Sequence, residues 1–167
     1  MLRWLLIALG VLAALAVMGI AAGQFGLLAG SVPADLGVRE GKLKAPSLSP
    51  NSVSSQADLW PGHPQQAYAR IAPLPLVGAG AAAGAATVAR LKALVEASPG
   101  AQVVHAGPDY LRATFTTPLM KYTDDVEFWF DAGAGVVQVR SASRLGESDL
   151  GANRARVEQL RVQLAAR

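Results

Sequence analysis

KYTDDVEFWFDAGAGVVQVRSASRLGESDLGANRARVEQLR, residues 121–161, decides the fold because its side-chain period changes within one stretch. From Asp124 to Asp131 the period is two: Val126, Phe128 and Phe130 share one face, and Asp125, Glu127 and Trp129 share the other. Ala132-Gly133-Ala134-Gly135 has the chemistry of a hairpin loop. Val136 to Arg144 returns with the same period, Val137, Val139, Ser141 and Ser143 on one face and Gln138, Arg140, Ala142 and Arg144 on the other. A one-residue slip reverses every side chain, so keeping Phe128 and Val139 on one face fixes the register. A four-residue loop then pairs Asp131 with Val136, Glu127 with Arg140, Trp129 with Gln138 and Val126 with Ser141. Asp149 to Ala166 reads as a helix capped by Ser148 or Asp149. Its apolar stripe is Leu150, Val157, Leu160 and Leu164, with Asn153 on or beside it and Arg154, Arg156 and Arg161 largely off it.

Working back from this stretch, Asp109 to Thr117 is a strand with Leu111, Ala113 and Phe115 opposite Tyr110, Arg112, Thr114 and Thr116. Gly107-Pro108 turns it back onto a shorter strand, Ala101 to Ala106. Gly78 to Ser98 is a helix whose later half sets Val88, Leu91, Leu94 and Val95 against Arg90 and Lys92, and Ser98-Pro99-Gly100 stops it. Residues 69–77, ARIAPLPLV, hold two prolines and are an edge strand at best. WPGHP at 60–64 breaks any helix, and SLSPNSVSSQA at 47–57 is turn-prone, leading into a first strand. The order is strand, helix, four strands, helix. It predicts an α+β layer: a curved antiparallel sheet of about five strands with two helices packed on its apolar face.

Trp4 to Ala22 is a 19-residue run without charge, interrupted only by Gly10 and Gly19. About 20 apolar residues cross a bilayer as a helix, so residues 1–23 read as a transmembrane signal anchor. A cleaved signal peptide is the alternative, with Arg3 as its basic start and Ala21-Ala22-Gly23 as its cut site. No Lys or Arg follows the run until Arg39. The positive-inside bias therefore keeps the N-terminus cytoplasmic and exports the remainder. Residues 24–49, rich in Gly, Pro and Ser, read as a flexible stalk, and residues 50–167 as the folded domain.

The chain has no cysteine, which excludes disulfides, thiolate metal sites and a cysteine nucleophile. A formal charge of +3 is too mild to argue for nucleic acid. No pattern points to a cofactor.

PNSVSSQA, DYLRATF, YTDDVEFWFD and VRSASRLGESDLGANRARVEQL, together covering about residues 50–165, resemble the domain of unknown function 1499 (DUF1499), a family of bacteria and plant plastids. Its usual lead-in is Asn-Cys-Val-Ser-Ser; this chain has Ser52 at the cysteine position, which argues against a thiol-dependent role. The resemblance implies an exported or membrane-associated domain, here of the bacterial inner membrane with the domain in the periplasm, and brings no established activity.

Among candidate site residues, Asp125 and Glu127 share a face and could hold a hard cation, but Arg140 opposite opposes that, and structural ion pairing is the plainer role. No metal is expected. Arg112, Arg140 and Arg144 share the polar face with Tyr110, Trp129 and Gln138, a set suited to a carboxylate, phosphate or lipid headgroup. The bland reading is a solvated face with cross-strand pairs. Ser141, Ser143, Asp149 and Asn153 read as a structural seam tying strand to helix. His63 and His105 lie far apart in sequence, and a site built from both lacks support. The leading expectation is a non-enzymatic domain that binds a small anionic or amphipathic ligand or a partner protein, anchored in the membrane by residues 4–22. One alternative is an enzyme of unrecognised type using Asp125, Glu127 and Arg140; another is a structural interaction module.

Overall fold

The computed structural model describes residues 1–166; Arg167, the last residue of the expected domain, lies outside them. Helix α1 (Leu2–Gln24) is followed by strand β1 (Ser52–Ser54), a 3-10 turn at Ala57–Leu59, a single helical turn α2 (Gln66–Ala69) and helix α3 (Ala83–Glu96). Strands β2 (Ala101–Ala106), β3 (Tyr110–Thr116), β4 (Thr123–Asp131) and β5 (Val136–Ser143) come next, and helix α4 (Ala152–Ala165) closes the chain. The five strands pair antiparallel throughout, in the order β1-β5-β4-β3-β2. The fold is therefore the expected α+β sheet with an apolar N-terminal helix before it. The β4–β5 register is also as read from the sequence, Asp131 on Val136, Glu127 on Arg140, Trp129 on Gln138 and Val126 on Ser141.

Burial explains why both long domain helices choose one face. Leu111, Ala113, Val126, Phe128, Val137 and Val139 form the inner side of the sheet. Val88, Leu91 and Val95 of α3 and Val157, Leu160 and Leu164 of α4 close over them. Each such side chain removed from water stabilises the fold by about 1.5–3 kcal/mol. Gly84 lets α3 approach: a Cβ there would sit 2.2 Å from the Phe130 ring.

Three local expectations change. Leu150 is not on the α4 stripe; it precedes the helix at φ 52° and is 97% exposed, because Gly151 at φ 83° turns the chain before the first helical residue. Residues 69–77 form no strand, only isolated bridges from Arg70 to Ser54 and from Leu74 to Val137, since Pro73 and Pro75 lack the donors a ladder needs. The third change bears on function. The segment expected as a flexible stalk lies across the outer sheet face from about Asp35 to Ser47. Its Leu43 is 1% exposed, the Leu43 N–H donates to Gln56 Oε1, and Gln56 Nε2 donates to the Gly41 carbonyl. It is held largely by backbone donors and acceptors, which leave no periodic side-chain signature. The outer face is thus buried rather than solvated, with Asp125 and Arg140 each 2% exposed and Glu127 fully buried.

Candidate functional site

Strands β3, β4 and β5 bring the charged residues of the outer face together, and the covering segment completes their surroundings. Glu127 Oε1 accepts from Tyr110 Oη at 2.7 Å and from the Gly37 N–H at 2.6 Å. Arg140 Nη1 stands 3.7 Å from Glu127 Oε2, and neither atom has a hydrogen-bond partner. Arg140 Nε donates to the Ala45 carbonyl at 3.2 Å. Burial pushes the Arg140 guanidinium below its usual range, opposed by the charges of Glu127 and Asp125. Burial, and then the Glu127 charge, holds the Tyr110 phenol above its usual range, so it remains a donor. Asp125 takes both oxygens to Arg144, Nε at 2.7 Å and Nη2 at 2.9 Å, a two-pronged pair.

Beside this cluster, Asp35, Lys44, Ser47, Asp125, Arg140 and Arg144 line a cleft of about 360 Å3. Lys44 pairs with Asp35 at its mouth. A neighbouring opening of similar size is lined by Arg112, Thr114 and Arg144, and Arg112 Nε is a buried donor without a partner. Trp129 is half-buried on the same face, across from Tyr110 and Gln138. The structure therefore gathers Arg112, Asp125, Glu127, Arg140 and Arg144 in one place and leaves Trp129 toward the hairpin end. Among the described residues no three His, Asp or Glu side chains converge as a metal site. His105 packs by Tyr110, whereas His63 Nδ1 accepts from the Gln65 N–H.

The opposite face carries the seam. Asn153 is fully buried; its Nδ2 donates to the Asn51 carbonyl, Ser143 Oγ and Asp149 Oδ2, at 3.0, 3.1 and 2.8 Å. Its Oδ1 accepts from Ser141 Oγ and from Arg156 Nη1. Arg156 continues to Asp124 Oδ2 at 2.6 Å. Asp149 accepts from the N–H groups of Gly151 and Asn153 and from Tyr68 Oη. Burial raises the Asp149 pKa, but those donors outweigh it and the carboxyl lies below its usual value. A depressed folded pKa contributes stability that is present above the unfolded value, near 3.8, and is lost as pH falls through the folded value. Stability should therefore fall more steeply below pH 3.8 in the parent than in Asp149→Asn, which urea titrations across that range would detect.

Sequence reasoning missed Gly37, Lys44 and Ala45, which contribute from the covering segment. Ser52 was the available signal. It faces outward on β1, 1% exposed, and its Oγ accepts from the Ser47 N–H at 2.8 Å, pinning that segment. Ser52→Ala should cost about 1 kcal/mol by removing this acceptor. Faster amide exchange confined to residues around Ser47 would locate the loss, and unchanged exchange there would refute the pinning role.

Comparison with curated proteins returned no match, and comparison with solved structures returned none. A family model described as a protein of unknown function, DUF1499, matches residues 42–164. The match starts within the covering segment and takes in Leu43, the cluster on the outer face and the seam, and by it the chain belongs to the DUF1499 family.

Proposed function

We propose that the protein is a single-pass membrane-anchored domain of the cell envelope, facing the periplasm. In this reading its outer sheet face binds a small anionic group in the cleft between the covering segment and β5. The observation that carries the binding reading is Arg140: 2% exposed, lining the cleft, with Nη1 unbonded. A buried donor without a partner costs about 1–3 kcal/mol, so such groups in native folds call for an explanation. A carboxylate or phosphate oxygen would remove that cost, with Lys44 as a second cation at the mouth. Asp35 and Asp125 also line the cleft, which favours a small ligand over a multiply charged one.

The anchor reading is supported by α1, whose 23 residues are long and apolar enough to cross a membrane. Arg3 before it, with no further Lys or Arg until Arg39, supports a cytoplasmic N-terminus. A structural module is the second reading, favoured by the bidentate Asp125–Arg144 pair and the two bonds on Glu127 Oε1. The enzymatic alternative has less support, because those same contacts occupy the carboxylates it would use.

The test is a titration of the full-length chain in detergent with acetate, inorganic phosphate and dihexanoyl phosphatidic acid, read by thermal midpoint and calorimetry. At least one probe should bind saturably, and Lys44→Ala or Arg144→Gln should weaken it by about tenfold, the scale of one lost charged contact. No saturable response to any probe would remove the binding reading and leave the structural one.

A further inference from the structure

We infer that the end of the domain where α1 leaves it is a membrane-contacting rim, seated on the same bilayer that holds α1. The inference rests on the reading that α1 spans a membrane.

Three contacts and one shared cleft bring the rim together. Gln24 Nε2, at the last residue of α1, donates to the Leu119 carbonyl at 2.9 Å. Gly23 packs so closely on the β3–β4 loop that a Cβ would lie 2.4 Å from the Met120 carbonyl oxygen. Gly30 lies against Arg144 and Leu145, where a Cβ would meet Leu145 Cγ at 3.0 Å. Tyr122, Leu145 and Leu150 in turn line one shallow cleft of about 300 Å3. Residues 23–30 and the loops on either side of β4 and β5 thus meet at one end of the sheet.

That end is apolar where a water-exposed surface should not be. Phe25 is 85% exposed, Leu27 72%, Leu119 56%, Leu145 41% and Leu150 97%, with Tyr122 at 40%. Contiguous exposed apolar residues mark an interaction site, whereas scattered ones need no explanation. The backbone works to hold them out. Leu150 is in the left-handed region at φ 52°, sparsely populated by non-glycine residues, and Lys121 beside Tyr122 is there too at φ 57°.

The occupant follows from continuity. Every residue of α1 except Gly23 is less than fully buried, and the rim begins at Phe25, one residue beyond the helix. Apolar surface therefore runs from the helix onto Phe25 and Leu27 with only Gln24 between, while Glu147, Ser148 and Asp149 lie between Leu145 and Leu150 further along the rim. Phe25 and Tyr122 suit the headgroup level, where aromatic side chains collect, and Lys121 can extend its amine to lipid phosphates. A rim so placed would also set the tilt of the domain and hold the charged cleft at a defined height above the membrane.

The absence of cysteine makes single-site labelling clean. Full-length Leu12→Cys, Leu119→Cys, Leu150→Cys and Val162→Cys chains would carry a fluorophore in nanodiscs of phosphatidylethanolamine and phosphatidylglycerol. Quenching by lipids bearing a nitroxide near the headgroup would be compared with quenching by aqueous iodide. Val162 is the control: 69% exposed on α4, and about 15 Å further along that helix than Ala152 at the rim. Labels at Leu119 and Leu150 should be quenched by the lipid nitroxide at least about threefold more than at Val162, as for groups seated at the headgroup boundary. If Leu12 is shielded from iodide while Leu119 and Leu150 behave as Val162 does, the rim is overturned and the anchor stands. If Leu119 and Leu150 are shielded from iodide yet untouched by the lipid nitroxide, a protein covers them and the rim is likewise overturned. A Leu12 label open to iodide overturns the anchor reading itself, and the rim as stated falls with it.

Discussion

Replacing Asn153 with alanine is expected to destabilise the domain by about 3–5 kcal/mol, since several buried groups lose their partners in one step. Asn153 satisfies the Asn51 carbonyl, Ser141 Oγ, Ser143 Oγ and one Asp149 oxygen, and it positions Arg156. The Asn51 carbonyl keeps the Ser143 N–H, Ser141 Oγ keeps Arg156 Nη1 and Asp149 keeps the Asn153 N–H, but each loses the amide and faces an apolar methyl in its place. The loss would also loosen β1 from β5, because the Asn51 carbonyl accepts from the Ser143 N–H at the end of that pairing. Asn153→Leu should be no better, for volume is not what the site lacks. Gln159→Ala, on an exposed part of the same helix, should stay within about 0.5 kcal/mol of the parent. Urea unfolding of the full-length chain in detergent measures all three. A loss under about 1 kcal/mol for Asn153→Ala would mean that water substitutes for the amide and that the seam is dispensable.

What could be read in advance divides along a physical line. Period-two and helical patterns report side chains that are buried against a periodic partner, so β2 to β5, α3, α4 and the hairpin register were legible. Polar residues on an inner face must find bonds, which singles out Ser141, Ser143 and Asn153, and Asp149 enters as a candidate cap of the last helix. The outer face was not legible. Asp125, Glu127 and Arg140 alternate correctly with Val126, Phe128 and Val139, but alternation cannot distinguish water from a covering loop. The residues that cover them, Gly37, Ala45 and Ser47, contribute chiefly backbone N–H and C=O groups, which are common to every residue type. Leu150 failed for the opposite reason: its spacing fits the stripe, but a left-handed residue and Gly151 interrupt the helix that the spacing assumes.

Arg140→Met is expected to cost about 3–5 kcal/mol, the usual penalty for leaving one member of a buried ion pair alone. Glu127 would keep its bonds from Tyr110 and Gly37 but would lose its nearest cation at zero exposure. Glu127→Gln should cost somewhat less, about 2–4 kcal/mol, because the amide oxygen still accepts those two bonds while Arg140 loses its counter-charge. The two together should not add. With both charges gone the desolvation cost of each disappears, so the double variant should recover at least about 2 kcal/mol relative to the sum. Simple additivity would mean that a 3.7 Å approach without a hydrogen bond carries little coupling. The double variant also separates the two readings of this face. If it folds with near-parental stability and still responds to the anionic probes, Arg140 is not the group that meets them. If it folds but no longer responds, the unbonded Nη1 is kept for a ligand, and the cost of burying the pair is carried for binding rather than for the fold.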